Sequence, residues 1–392
     1  MTRRAQIIAV VVLALVVLVF DAIFTARRGF FDLRVYYGAI NFWVHDAGEL
    51  YDYVRPRSTY GFTYPTFAAI TMLPMAFLPW PVVLVIASAA TVAVTVWLLF
   101  ELFRGYGQSP WFVVGVALCL VAAYEPMRET FLFGQVNMLL VGLVAADLLL
   151  LVGRGSRWAG IGVGLATAIK LTPGIFIVYL LVTRRWRAAL VSVATAAIAT
   201  LFAAAVAPGA SREFWTSAIW ETDRVGSLSY ISNQSLRGVV ARLDPGHPDT
   251  TLWFAMVAGV LAVWAVRVWR SAARGDEVLG LALTGVVGVL VSPVTWIHHL
   301  VWAIPAFVLL VRRGGRWRLG FAALAYIVLC SRVVWEYERD FDGWHGFVSA
   351  NAYVWIMLAL LCLTPAHKGP AGDREAELGA ARAERPGLTV AA

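Results

Sequence analysis

Long apolar runs separated by short, arginine-rich connections constrain this chain more than any other feature. A bilayer crossing needs about 20 mostly apolar residues. Runs of that kind recur near 6–23, 62–79, 82–101, 110–124, 135–152, 159–183, 187–207, 250–270, 278–292, 298–311, 317–333 and 346–364. With no water in the hydrocarbon core, each such segment must satisfy its own backbone polar groups, which a helix does. The expectation is therefore an all-α, polytopic integral membrane protein with about 12 transmembrane helices, occupying residues 1–366 as one unit. Sixty per cent hydrophobic against 14% charged residues excludes an ordinary soluble domain.

Charge placement orients the chain. Thr2-Arg3-Arg4 precede the apolar stretch Ile7–Phe20, and no small-residue cleavage site follows it, so an uncleaved first span with a cytoplasmic N-terminus is expected. Arg184, Arg185 and Arg187, then Arg267, Arg270 and Arg274, then Arg312, Arg313, Arg316 and Arg318 mark cytoplasmic loops. The net charge of +8 resides mostly in these short loops; it points to anionic membrane lipids and not to nucleic acid. One conflict arises at Arg154 and Arg157, which ask for a cytoplasmic loop where simple counting of runs puts an outer one. Pro173-Gly174 would break a helix within 159–183, making a re-entrant pair possible and resolving the count. The polar tail 367–392 reads as disordered and cytoplasmic. Cys119, Cys330 and Cys362 each lie in apolar runs without a pairing pattern, so neither a disulfide framework nor a metal cage is implied.

Two outer connections are long: roughly 24–61, with Asp32, Asp46, Glu49, Asp52, Arg55 and Arg57, and roughly 208–249, with Trp215, Trp220, Asp223, Arg224, Asn233, Gln234 and Arg237. Loops of this length usually carry function. In Gly29–Ala39 a carboxylate, Asp32, stands just beyond the first span beside Arg34 and Tyr36. It could deprotonate a hydroxyl of a lipid-held substrate; equally, Asp and aromatic side chains anchor proteins at headgroup level. Lys170, in an apolar stretch beside Pro173-Gly174, reads either as a point charge for a phosphate or as a lysine snorkelling from a helix end. His298 and His299, after Ser292-Pro293 and Trp296, could donate to phosphate oxygens or serve as interfacial anchors. Adjacent histidines diverge on a helix, which argues against a shared metal.

Arg128, in Glu125-Pro126-Met127-Arg128, can fork a phosphate, and Gln135 and Asn137, in Gly134-Gln135-Val136-Asn137, can bond sugar hydroxyls. The alternative is polar packing between helices. Asp340-Phe341-Asp342 reads as a solvated loop, since the chain lacks the soluble nucleotide-binding domain that would use such a pair. Gly160, Gly162 and Gly164 read as close helix packing, because no strand precedes them. There is no Gly-x-Ser-x-Gly or His-Glu-x-x-His motif, so hydrolysis is poorly supported.

Taken in order, Phe31-Asp32-Leu33-Arg34-Val35-Tyr36, Tyr60-Gly61-Phe62-Thr63-Tyr64-Pro65-Thr66, Gly134-Gln135-Val136-Asn137, Ala168-Ile169-Lys170-Leu171-Thr172-Pro173 and Ser292-Pro293 through His298-His299 resemble glycosyltransferase family 87, of the GT-C class. The resemblance spans about three quarters of the chain, each motif weak alone. It implies an inverting membrane enzyme that moves mannose from a polyprenyl-phosphate-mannose donor to a lipid-anchored glycan, such as a phosphatidylinositol mannoside, in an alpha-1,2 linkage. A polyprenyl-phosphate-arabinose donor is the alternative, and a lipid or glycan transporter the rival from another class. By the same resemblance Asp32 is the general base, and His298, His299, Lys170 and Arg128 hold the donor phosphate. Arg34, Tyr36, Tyr64, Gln135, Asn137, Asn233 and Gln234 bind sugar and acceptor. No metal or other cofactor is required by that scheme. The expected site lies on the extracytoplasmic face of the plasma membrane.

Overall fold

A computed structural model describes residues 1–24, 28–221 and 226–367. Asp223, Arg224 and the tail from 368, expected to be disordered, lie outside the described residues. Among those described, the secondary structure is helical apart from two isolated bridges, Val54 with Gly61 and Asn233 with Trp296.

The first half runs α1 (Arg3–Phe24), α2 (Phe31–His45), α3 (Thr66–Met72), α4 (Trp80–Leu102), α5 (Pro110–Ala123), α6 (Glu125–Phe133), α7 (Asn137–Ala146), α8 (Ile161–Ile169) and α9 (Ile175–Val182). The second half runs α10 (Trp186–Val206), α11 (Pro208–Glu213), α12 (Leu236–Leu243), α13 (Thr250–Ala272), α14 (Glu277–Val291), α15 (Ile304–Arg313), α16 (Arg316–Ser331), α17 (Gly343–Ala350) and α18 (Ala352–Leu363). By length and composition four described helices can cross a bilayer: α1, α4, α10 and α13. Two bent pairs, α5 with α6 (73°) and α17 with α18 (58°), raise the number to six if each is one span. Other apolar runs form shorter helices, 277–291 among them.

Three local features shape the site. The expected loop after the first span contains a 15-residue helix, α2. Its buried residues Leu33, Val35, Tyr36, Ala39 and Ile40 recur at helical spacing, a pattern too short to register as an apolar run. The left-handed pair Gly29 (φ 61°) and Phe30 (φ 54°) turns the chain into it, and the Phe30 amide donates to the carbonyl of Leu132 at the end of α6 (2.8 Å). At the other break, α8 stops at Ile169 and Lys170 is extended (φ −147°, ψ 130°), with Pro173 opening a short 3-10 turn, 172–174. Finally, the 73° bend after Ala123 lets α6 turn away from the direction of α5. Gly134–Asn137 thereby reaches the same place as Asp32.

Burial falls into two large apolar clusters. One gathers Leu98, Val141, Phe176, Leu283, Leu300 and Met357 with their neighbours. The other packs Leu33, Val35, Ile40 and Phe62 of the α2 region around Tyr36, Tyr51, Tyr64 and Phe214. Between helices that cross a bilayer such packing contributes through close van der Waals contact, because lipid tails are as apolar as the side chains themselves. Val136 and Ile169 pack against both clusters, and each is followed directly by a polar residue: Asn137 and Lys170.

Candidate active site

At the seam lies a cavity of about 480 Å³, within the usual range for a small-molecule site. Asp32, Tyr36, Tyr64, Gln135, Lys170, His298 and His299 all line it, as do Arg28, Glu129, Tyr230, Trp296 and Trp335. Sequence reasoning named the first seven.

Asp32 and Gln135 meet because their neighbours must. Gly134 sits at φ 69°, and a Cβ there would stand 2.5 Å from the Leu33 Cβ, so only glycine allows this approach. Gln135 Nε2 then donates to Asp32 Oδ2 (2.5 Å). On its other side, Gln135 Oε1 accepts from the hydroxyls of Tyr64 (3.1 Å) and Tyr36 (3.3 Å). Those two bonds fix the amide's orientation, since its NH₂ can then only face the carboxylate. The two phenol oxygens are themselves 2.9 Å apart. Burial pushes both phenols above their ordinary range, so they remain neutral donors.

The chain of contacts continues to a cation. Lys170 Nζ donates to Tyr64 Oη (3.3 Å) and Asn137 Oδ1 (3.1 Å), and stands 3.0 Å from His299 Nε2. His299 is held in turn, its Nδ1 accepting the Trp296 backbone amide (3.2 Å). His298 carries its carbonyl to Thr130 Oγ1 (2.9 Å) and Asn137 Nδ2 (3.3 Å), while its Nε2, though buried, finds no hydrogen-bond partner among the described residues. Orphaned buried nitrogens of this kind await a ligand or water.

Asp32 is half-buried, ringed by protein yet open to the cavity. Loss of water around it pushes its pKa up to about 6, an effect that the Gln135 hydrogen bond and the Lys170 charge only partly offset. Its Oδ1 takes no hydrogen bond from the described residues. A carboxylate with one free oxygen on a cavity, titrating near neutrality, is suited to accept a proton.

The remaining sequence candidates stand elsewhere. Arg34 turns back to the carbonyl of Gly29 (3.0 Å) and lies over Trp80 (4.3 Å), beside a separate surface cavity. Arg128 faces a second cavity of about 370 Å³, 3.6 Å from Asp21 and bonded to the Cys330 carbonyl (3.0 Å). Asn137 stands directly behind Lys170. Asn233 and Gln234 brace the segment leading to the histidines. Asn233 Nδ2 donates to the Pro293 carbonyl (3.2 Å), its Oδ1 accepts the Thr295 amide (2.9 Å), and the Gln234 amide donates to the Thr295 carbonyl (2.7 Å). Sequence reasoning missed Arg28, Glu129, Tyr230 and Trp335. Glu129 adjoins Arg128, and only the register of α6 decides which of the two faces the cavity. Among the described residues no three His, Cys, Asp or Glu side chains gather as a metal cage.

Comparison with known proteins gives a consistent picture. The model of glycosyltransferase family 87 matches residues 62–293. A protein of Mycolicibacterium smegmatis, named polyprenol-phosphate-mannose-dependent alpha-(1-2)-phosphatidylinositol mannoside mannosyltransferase, is 34% identical over 361 residues, covering 81% of this chain and 80% of its own. The protein of the same name from Mycobacterium tuberculosis is 33% identical over 76% of this chain and 75% of its own. A second Mycolicibacterium smegmatis relative, named for transfer to phosphatidylinositol pentamannoside, is 34% identical over 85% of this chain and 84% of its own. No solved structure gives a significant match.

Proposed function

The chain belongs to glycosyltransferase family 87 and is a membrane glycosyltransferase, and on that footing we propose that it moves mannose from a polyprenyl phosphate to a lipid-anchored mannoside, with Asp32 as general base. The observation that carries the proposal is the free Asp32 oxygen on a cavity whose other wall presents Lys170 and the histidine pair.

In the proposed step the acceptor hydroxyl attacks the anomeric carbon as the bond from that carbon to the phosphate oxygen breaks. The hydroxyl proton passes to Asp32 Oδ1, and the electron pair stays on the leaving polyprenyl phosphate. In-line attack inverts the anomeric centre, turning a beta donor into an alpha product. Gln135 and the two tyrosines hold the base in place. Lys170, His298 Nε2 and His299 stand where the growing phosphate charge needs cations and donors, the kind of electrostatic support that lowers such barriers most. The relatives' names favour mannose over an arabinofuranose donor and a phosphatidylinositol mannoside as acceptor. The reading includes a plasma-membrane location with the cavity on the extracytoplasmic face, and about 12 crossings if the short apolar helices complete partial spans.

The test is transfer by the purified protein in detergent, from labelled polyprenyl-phosphate-mannose to a phosphatidylinositol mannoside. A slower-moving labelled glycolipid is the expected outcome. No product from this donor would overturn the reading.

A further inference from the structure

One wall of the cavity plays no part in the step above. Arg28 forks Glu129, with Nε at 3.3 and 3.0 Å from the two carboxylate oxygens and Nη2 at 3.2 Å from Oε1. The guanidinium lies between two rings, 5.2 Å from the Phe133 centroid and 5.0 Å from that of Trp335. Its Nη1 bonds to none of the described residues. Tyr230 meets Trp335 edge-on at 6.2 Å and Trp296 at 6.0 Å, so three aromatic side chains continue the wall. All six residues line the same cavity as Asp32.

The two cationic poles differ in kind. Among the described residues Lys170 bonds Tyr64, Asn137 and His299 and no carboxylate, while Asp32 on the same cavity bonds Gln135, so the ammonium is left to pair directly with an anion. A phosphate brought to Arg28 would meet the Glu129 carboxylate as well, and the pair is neutral overall. A neutral, hydroxyl-rich ligand suits it better. Each sugar hydroxyl can accept from Nη1 and donate to a carboxylate oxygen, while the apolar face of the ring covers an aromatic side chain.

We infer that the Arg28–Glu129 pair with Tyr230, Trp296 and Trp335 forms a second sugar subsite, which holds the acceptor's neighbouring sugar while its terminal sugar presents a hydroxyl to Asp32. The enzyme therefore selects acceptors carrying at least two sugars. This rests on the mannosyl-transfer reading above.

The experiment compares octyl alpha-mannoside with an octyl alpha-dimannoside as acceptors, using labelled polyprenyl-phosphate-mannose and the purified protein. The wild type is expected to favour the disaccharide in kcat/KM by about tenfold or more, the fold-change of one or two hydrogen bonds. The double variant R28Q/E129Q and, separately, Y230A should bring that ratio close to one. Because the ratio is taken on a single preparation, a fall in the folded fraction cancels. Equal use of both acceptors by the wild type would overturn the subsite, as would variants that keep the ratio and raise only the KM for the donor. Failure of the wild type with both acceptors would instead strike the mannosyl-transfer reading itself, and the subsite with it.

Discussion

Asp32 and Glu125 are both carboxylates enclosed by protein, and they are treated in opposite ways. Glu125 is saturated: Trp335 Nε1 donates to Oε1 (2.6 Å), the Tyr353 hydroxyl donates to Oε2, and Arg332 Nε lies 3.3 Å from Oε1. Among the described residues Asp32 takes a single hydrogen bond, from Gln135, and shows its other oxygen to a cavity. A carboxylate offers about four acceptor positions, so unused capacity separates a group held for chemistry from one that braces helices. Burial alone does not make the distinction; the count of donors does.

The contrast can be broken most decisively by Asp32→Asn. Loss of the proposed base should cut turnover by about 10²–10⁴ while the melting temperature in detergent falls no lower than wild type. Near-normal turnover would remove Asp32 from the reaction. Glu125→Ala should do the reverse. Leaving the Tyr353 hydroxyl without its acceptor costs about 1–3 kcal/mol, the usual penalty for an unsatisfied buried donor, while Arg332 stays part-exposed and keeps the Phe24 carbonyl. Thermal unfolding would show it, while each folded molecule should keep the Asp32-dependent step.

Lys170→Met sharpens the picture on the other wall. Removing one charge-assisted contact should lower donor kcat/KM by about 10–100-fold, while Arg128→Met, which lies beside another cavity, should leave donor use near wild type. Equal losses in the two variants would mean that the response is global rather than local. The smallest effect concerns pH. With Asp32 titrating at about 6, kcat/KM should climb through that region as the base ionises. Stability moves the other way. The folded-state pKa is raised above the ordinary 3.8, so the group's favourable contribution is present below that value and is lost as pH rises towards 6 and beyond. In Asp32→Asn this part of the stability profile should be flat.

Much of this was legible from the chain itself. The helical class follows from the apolar runs, and the interruption at Lys170 follows from Pro173 and Gly174, because proline cannot continue a helix. The approach of Gln135 to Asp32 was not legible, since it depends on the 73° bend ahead of α6 and on the missing side chain of Gly134. Nor could spacing tell that α2 is a helix, as its apolar face is only five residues and reads as a polar loop when long runs are sought. Arg128 and Glu129 illustrate the finest limit. One residue of register, about 100° around a helix, sends the guanidinium to one cavity and the carboxylate to another.

The two apolar clusters give the site a division of labour in the mechanical sense. Asp32 rides on the α2 cluster through Leu33, whereas the histidines ride on the larger one through Ile297 and Leu300, and Lys170 follows Ile169, which packs against both. A ligand that touches the base on one side and the histidines on the other is therefore a rivet between two blocks. Donor and acceptor bound together should stiffen their joint more than the sum of either alone, which a calorimetric comparison of the binary and ternary complexes would register as coupling.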